Sequence, residues 1–276
     1  MESRFRATIV VPVFNEEQQL LKGKENGFHD SLRKWADADP GNRHVVFVDD
    51  GSTDRTRQVL EDLKFESISS DPESHLNKGK AHAVWEGFKH AKLHHNKPDV
   101  LVMLDADLTN VTPKRIDELI KPLLPGGIPG RHRLPDMAVG SVTEENAGFA
   151  GDSFPISGQR AIRYSVIAPM LHPKNEGFYK KALSGYGLEA GLNHFIPDSV
   201  IADTFFRCER PLRHISYLGQ LRQITRASRA ASKDVAFTKR VKLLRRLASK
   251  LPSKLRTKAY GFISNKIATR KLERTK

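Results

Sequence analysis

Three apolar, β-branched runs in the first 105 residues each stop abruptly at polar or acidic residues. Ile9-Val10-Val11-Pro12-Val13 leads into Phe14-Asn15-Glu16-Glu17, and Val45–Val48 leads into Asp49-Asp50-Gly51-Ser52-Thr53-Asp54. Val100–Leu104 leads into Asp105-Ala106-Asp107. Near-continuous apolar runs mark strands buried on both faces. Helical stretches between them predict βαβ units and an α/β fold with a mostly parallel sheet covered by helices on both sides. Strands are predicted at 7–13, 44–48, 65–69, 99–104 and 136–141, with closing strands at 200–206 and near His214–Tyr217. Helices are predicted at 16–36, 53–63, 79–93 and 113–121, then at 158–171, 176–183 and 187–195. The Pro/Gly-rich stretch from Pro122 to Pro135 reads as a loop.

The stops carry the chemistry. Carboxylates at i and i+2 of an extended segment share a direction, so Asp105 and Asp107 are expected to enter the crevice at the carboxyl ends of the strands. Hard oxygen ligands there suit Mg²⁺ or Mn²⁺ shared with a diphosphate; an Asp after a strand can also simply cap a turn. Asn77-Lys78-Gly79-Lys80 opens a helix. Its glycine permits close backbone approach, and its N-terminus and Lys80 favour an anion.

The order strand-PxxNE, strand-DDGSxD, NxGK-helix and strand-DxD resembles the family-2 glycosyltransferases, closely over residues 5–120. Ser157-Gly158-Gln159-Arg160-Ala161 and Gly185-Tyr186-Gly187-Leu188-Glu189 resemble later blocks of that family. The nearest branch holds dolichyl-phosphate sugar synthases and small bacterial sugar transferases such as glucosyl-3-phosphoglycerate synthase. The resemblance implies a GT-A fold: a Rossmann-like, mostly parallel sheet with helices on both faces. It also implies hexosyl transfer from a UDP- or GDP-sugar to a lipid-linked or small acceptor, with inversion by direct displacement.

By the same resemblance Pro12, Phe14, Asn15 and Glu16 line the base and ribose, and Asp50 accepts a hydrogen bond from the base. Lys80 sits by the diphosphate, Asp105 contacts ribose or sugar, and Asp107 is the direct metal ligand. Arg160 lies near sugar and acceptor, and Glu189 either binds sugar hydroxyls or serves as general base. His214 stands where relatives place a third metal ligand or diphosphate contact, or is structural. Asp49 supports its turn. The segment from Gly140 to Ser153 is acidic and Gly-rich where the polyprenyl-phosphate branch carries basic residues. It is expected to be a mobile loop, and its Glu144, Glu145 or Asp152 is an alternative base.

Charge divides the chain. The net charge is +14, yet residues 1–220 hold 28 basic and 30 acidic residues. Residues 221–276 hold 18 basic residues against Asp234 and Glu273. Phe237, Val241, Leu244, Ala248 and Leu251 fall at helical spacing, as do Leu255, Ala259, Phe262, Ile263 and Ile267 after Pro252. The organisation predicted is a catalytic domain over 1–220 and a basic amphipathic helical tail over 221–276. Such helices lie on anionic membrane surfaces; the alternative is packing on the enzyme's own core. With few aromatics and no recognition module, nucleic acid is disfavoured as a partner. Met1-Glu2-Ser3-Arg4 runs straight into a strand, so no signal peptide is expected, and no 18-residue apolar stretch predicts a membrane span. Lone Cys208 excludes an internal disulfide and fits a reducing cytosol. Peripheral membrane association from the cytoplasm is therefore expected. Two other readings stand beside it: a soluble transferase using a small anionic acceptor such as 3-phosphoglycerate, and a non-catalytic nucleotide-sugar-binding scaffold. A nucleotidyltransferase is disfavoured, because Pro12-Val13-Phe14-Asn15 offers no Gly-rich basic loop.

Overall fold

The computed structural model describes residues 5–144, 158–183, 188–196 and 198–208. Seven strands form one sheet in the order β3-β2-β1-β4-β6-β5-β7. They are β1 (Ala7–Val13), β2 (Arg43–Asp49), β3 (Glu66–Ser69), β4 (Val100–Met103), β5 (Met137–Glu144), β6 (Arg160–Arg163) and β7 (Ser199–Cys208). The first four are parallel to one another, β6 runs antiparallel to both β4 and β5, and β5 pairs parallel with β7. The helices are α1 (Glu17–Glu25), α2 (Phe28–Asp37), α3 (Thr56–Asp62), α4 (Lys80–His94), α5 (Pro113–Ile120), α6 (Tyr164–Ile167), α7 (Pro173–Leu183) and α8 (Leu188–Phe195).

The two-residue period of the strands builds two cores. Ile9, Val11 and Val13 of β1 join Val45 and Phe47 of β2 and Val102 of β4 on one face, against Leu20, Phe28, Leu32, Trp35, Ile116 and Leu119. Val10, Val46, Val48, Leu101 and Met103 point the other way, against Val84, Trp85, Phe88, Leu188 and Leu192. Both faces are buried, so the strands read as continuous apolar runs rather than alternating ones. Pro12 is tolerated in a central strand because the β1–β4 pairing ends at Val10.

Three expectations are corrected. The helix predicted over 16–36 is two helices, separated where Gly27 takes φ +78°. The helix predicted over 158–171 is strand β6 followed by one short helical turn; pairing on both sides overrides the helical reading of Arg160-Ala161-Ile162-Arg163. Extended backbone in β4 stops at Met103, and residues 106–107 form a turn, so strict alternation does not carry through to Asp107. The strands near 200–206 and at 136–141 are present as β7 and β5. The stretch near His214–Tyr217, the 221–276 tail and residues 145–153 lie outside the described residues.

Gly51 and Gly27 share φ +78°, but a Cβ at Gly51 would lie 2.5 Å from the His75 carbonyl oxygen, whereas nothing lies within 4 Å of one at Gly27. Left-handed backbone costs a non-glycine residue about 1–2 kcal/mol, and overpacking adds about 1–3 kcal/mol. Gly51→Ala is therefore expected to destabilise by about 2–4 kcal/mol and Gly27→Ala by about 1 kcal/mol. Urea midpoints of the two variants check this; equal losses would remove the steric part of the argument.

Candidate active site

β1 has β2 on one side and β4 on the other, and the chain leaves their carboxyl ends in opposite directions. A crevice forms at such a switch point. The loops that follow β1 and β2 are laced together there. Asn15, with φ +53°, accepts hydrogen bonds on Oδ1 from the Thr53 amide (2.8 Å) and hydroxyl (3.3 Å). Its own amide donates to Ser52 Oγ at 2.9 Å, and the Glu16 amide donates to Thr56 Oγ1 at 2.8 Å. Glu17 pairs with Arg55 across the same seam at 2.5 Å. Phe14 remains 41% exposed on the rim.

Asp49 and Asp50 divide their work. Asp49 accepts from the Ser52 amide at 3.0 Å and from Arg57 Nε at 2.5 Å, holding its turn as expected. Asp50 is 2% exposed. Its carboxylate accepts from Ser70 Oγ (2.8 Å), the Lys78 amide (3.2 Å) and the Gly79 amide (2.6 Å). It thus pins the segment that opens α4. Lys78 and Ser74 hold the Asp71 carboxyl in the same segment down to about 2. Asp50→Ala strips the Gly79 amide of its charged acceptor and is expected to lower stability by about 2–3 kcal/mol, measurable as a reduced urea midpoint.

Lys80, Asp105 and Glu189 meet although they are far apart in the chain. Lys80 Nζ lies 2.6 Å from Asp105 Oδ1 and 3.2 Å from Glu189 Oε1. Burial alone would lower the Lys80 pKa, but the two carboxylates outweigh it and raise it. Gln159 Nε2 donates to Asp105 Oδ2 at 3.1 Å. Gly158 closes over the pair: a Cβ there would fall 2.5 Å from Asp105 Oδ2 and 2.8 Å from Lys80 Nζ. Asp107 follows two residues on, half-buried in its turn.

Arg160 is wholly buried. Its guanidinium donates to Asn193 Oδ1 at 2.8 Å and reaches Met137 Sδ at 3.4 Å. Burial pushes its pKa down to about 10, against the pull of Glu189 and Asp105. It remains a cation at neutral pH, buried and within electrostatic reach of Glu189 and Asp105.

Most of the expected residues therefore converge: the loops bearing Phe14, Asn15 and Glu16, the Asp50-anchored segment, and the group of Lys80, Asp105, Glu189 and Arg160. His214 lies outside the described residues. Sequence reasoning gave no role to Gln159 or Asn193. Asn193 had a signal, since it stands one helical turn after Glu189 and shares its face. A group able to hold a cation, Glu66, His90 and His95, also exists among the described residues. It lies three strands across the sheet from β4, on edge strand β3 and at the end of α4.

Residues 8–127 match the family described as Glycosyl transferase family 2. An undecaprenyl-phosphate 4-deoxy-4-formamido-L-arabinose transferase from Shewanella sediminis (strain HAW-EB3) is 28% identical over 184 residues, covering 59% of this chain and 50% of that protein. A bactoprenol glucosyl transferase from Shigella phage SfV is 31% identical over 104 residues, covering 37% of this chain and 31% of its own. The chain thus spans about half or less of the length of these relatives. Glucosyl-3-phosphoglycerate synthase from Mycobacterium tuberculosis, solved with Mn²⁺, uridine diphosphate and glucosyl-3-phosphoglycerate, shares the fold: TM-score 0.57 at 20% identity, over 85% of this chain and 83% of that one. The four motifs gathered on this rim of the GT-A sheet all lie within residues 8–127, the stretch that matches glycosyl transferase family 2.

Proposed function

We propose that this protein is a metal-dependent glycosyltransferase that moves a hexosyl unit from a UDP- or GDP-sugar to a lipid-linked acceptor such as a polyprenyl phosphate. The observation that carries the reading is the meeting of Lys80, Asp105 and Glu189 at the switch-point crevice. A cation at a helix start beside two carboxylates provides both a diphosphate contact and groups for sugar hydroxyls. The relatives named as undecaprenyl-phosphate and bactoprenol transferases support the acceptor class.

In this reading the loops around Phe14, Asn15 and Asp54 shape the base and ribose subsite, and Asp50 acts by fixing the Lys78–Gly79 backbone. Lys80 leaves its carboxylate partners to neutralise the departing diphosphate. Glu189 then faces the sugar and acceptor, where it accepts from sugar hydroxyls or takes a proton from a hydroxyl acceptor. Arg160 and Asn193 hold α8 so that Glu189 stays in place. The half-buried carboxylates of Asp105 and Asp107 form a hard donor set that fits Mg²⁺ or Mn²⁺. Such an ion supplies charge neutralisation to the leaving nucleoside diphosphate. Residues 1–220 would form the catalytic unit, and the basic 221–276 tail would hold it to an anionic membrane surface. No helix among the described residues is long and apolar enough to cross a membrane.

Thermal unfolding with a panel of nucleoside diphosphates, with and without Mn²⁺, tests the site. A ligand at ~100 times its Kd adds about 2.7 kcal/mol to stability, so UDP or GDP with Mn²⁺ is expected to raise the midpoint clearly. No shift with any nucleotide would refute the nucleotide-sugar site, and a shift without any sugar transfer would favour a silent scaffold. Transfer from the stabilising nucleotide's sugar to polyprenyl phosphate in anionic liposomes, against 3-phosphoglycerate in solution, then decides the acceptor. Liposome binding unchanged by deletion of 221–276 would refute the role of the tail.

A further inference from the structure

We propose that Glu66, His90 and His95 form a second metal site, separate from the crevice and selective for a borderline ion such as Zn²⁺. His90 Nε2 lies 2.6 Å from Glu66 Oε1, and His95 Nε2 lies 2.9 Å from Glu66 Oε2. One donor atom from each residue lies within 4.8 Å of the other two. Two imidazoles and a carboxylate, with water completing a four-coordinate shell, are a zinc ligand set. Nitrogen ligands of this kind select against Mg²⁺, so the two sites differ in the ion they take.

The surroundings orient the ligands as metal sites require. His95 is 5% exposed, and its Nδ1 is engaged by Thr8 Oγ1 at 3.1 Å. That contact fixes the ring and leaves Nε2 for the ion. The His44 ring stacks on His95, with centroids 4.2 Å apart, and locks it from the side. His94 stacks on His90 in the same way at 4.3 Å. The carboxyl end of α4, where His90 and His95 stand, favours a cation.

Position gives the role. Thr8 and His44 are the second residues of β1 and β2, and Glu66 is the first residue of β3. The His95 contacts therefore lie at the amino-terminal ends of β1 and β2, while Glu66 stands level with Val46 on the edge strand, three strands across the sheet from β4 and its acids. β3 is a four-residue edge strand. An ion held by Glu66 and both histidines ties this edge to the far end of α4, the helix whose other end carries Lys80.

The test uses the full chain with Asp105→Asn and Asp107→Asn in place, so that the crevice acids are silenced. Zn²⁺, Co²⁺ and Mg²⁺ are each titrated by calorimetry, and thermal midpoints are read in parallel. One equivalent of Zn²⁺ is expected to bind at least about 100-fold more tightly than Mg²⁺ and to raise the midpoint. His90→Gln and Glu66→Gln should each weaken Zn²⁺ by more than ~100-fold, since even outer-shell changes cost about 10–100-fold. His90 is only half-buried and Gln is a good helix former, so this variant should fold; an unchanged metal-free midpoint checks it. His75→Gln, a histidine outside the group, should keep Zn²⁺ within about threefold of the parent. Equal Zn²⁺ affinity in the parent and His90→Gln overturns the proposal. So does a parent that binds Zn²⁺ no better than Mg²⁺, which would leave the group a proton-bridged ion pair.

Discussion

Asp107→Asn is expected to lower sugar transfer by at least about 10³-fold while the chain stays folded in metal-free buffer. Asp107 belongs to neither apolar core and sits half-buried in the turn after β4. Asparagine keeps its shape and removes its charge. What is lost is the anionic oxygen proposed to hold the ion that neutralises the leaving diphosphate, a contribution of several kcal/mol, and each ~1.4 kcal/mol is a factor of ten in rate. The Mn²⁺-dependent part of the nucleotide-induced midpoint shift should vanish in the same variant, and the nucleotide-only part should remain. Activity within about threefold of the parent would end the metal role assigned to Asp107. Asp105→Asn also breaks the contacts of Asp105 with Lys80 and Gln159. Its loss should change stability as well as rate.

The early half of the fold was legible because local and global signals agree there. β1 occupies the predicted 7–13, and α4 starts within one residue of its predicted place after Gly79, where glycine permits φ +94°. β6 was not legible. Its four residues have no period of their own, and only β4 and β5 on either side make them a strand. Within the site, the motifs identified which residues gather but not how they divide the work. Asp50 resembles a ligand contact in sequence, yet the path of residues 70–79 brings two backbone amides and a hydroxyl onto its carboxylate. The buried position of Arg160 follows from the insertion of β6, and so was hidden with it. Glu66, His90 and His95 form no spacing motif, since they come from an edge strand and the end of a helix. Only the parallel register of β1, β2 and β3 places their neighbours Thr8 and His44 beside them.

Lys80→Met is expected to weaken binding of the nucleotide-sugar donor by about 10²-fold or more and to lower kcat with it. The ammonium opens α4, where helix geometry already favours an anion, and removing one preorganised charge contact costs about 10²–10³ in rate. The raised pKa of Lys80 settles its part in pH dependence. A folded pKa above the unfolded value of about 10.5 makes the charge's contribution complete below that value. That contribution is lost only as pH rises through the higher folded pKa. No limb of a pH–rate profile between pH 5 and 9 should therefore belong to Lys80. Removing Lys80 also takes the cation from between Asp105 and Glu189. The two carboxylates then repel each other. The same repulsion should destabilise the variant by about 1–2 kcal/mol, less than a fully buried pair costs because the Lys80 side chain is 36% exposed. Adding Glu189→Gln separates the two effects. In Lys80→Met/Glu189→Gln the repulsion is gone and the thermal midpoint should recover, while donor binding stays weak because the cation is still missing. If donor affinity returns together with stability, Lys80 is a bridge between two carboxylates and nothing more, and the diphosphate must be neutralised by other groups in the crevice.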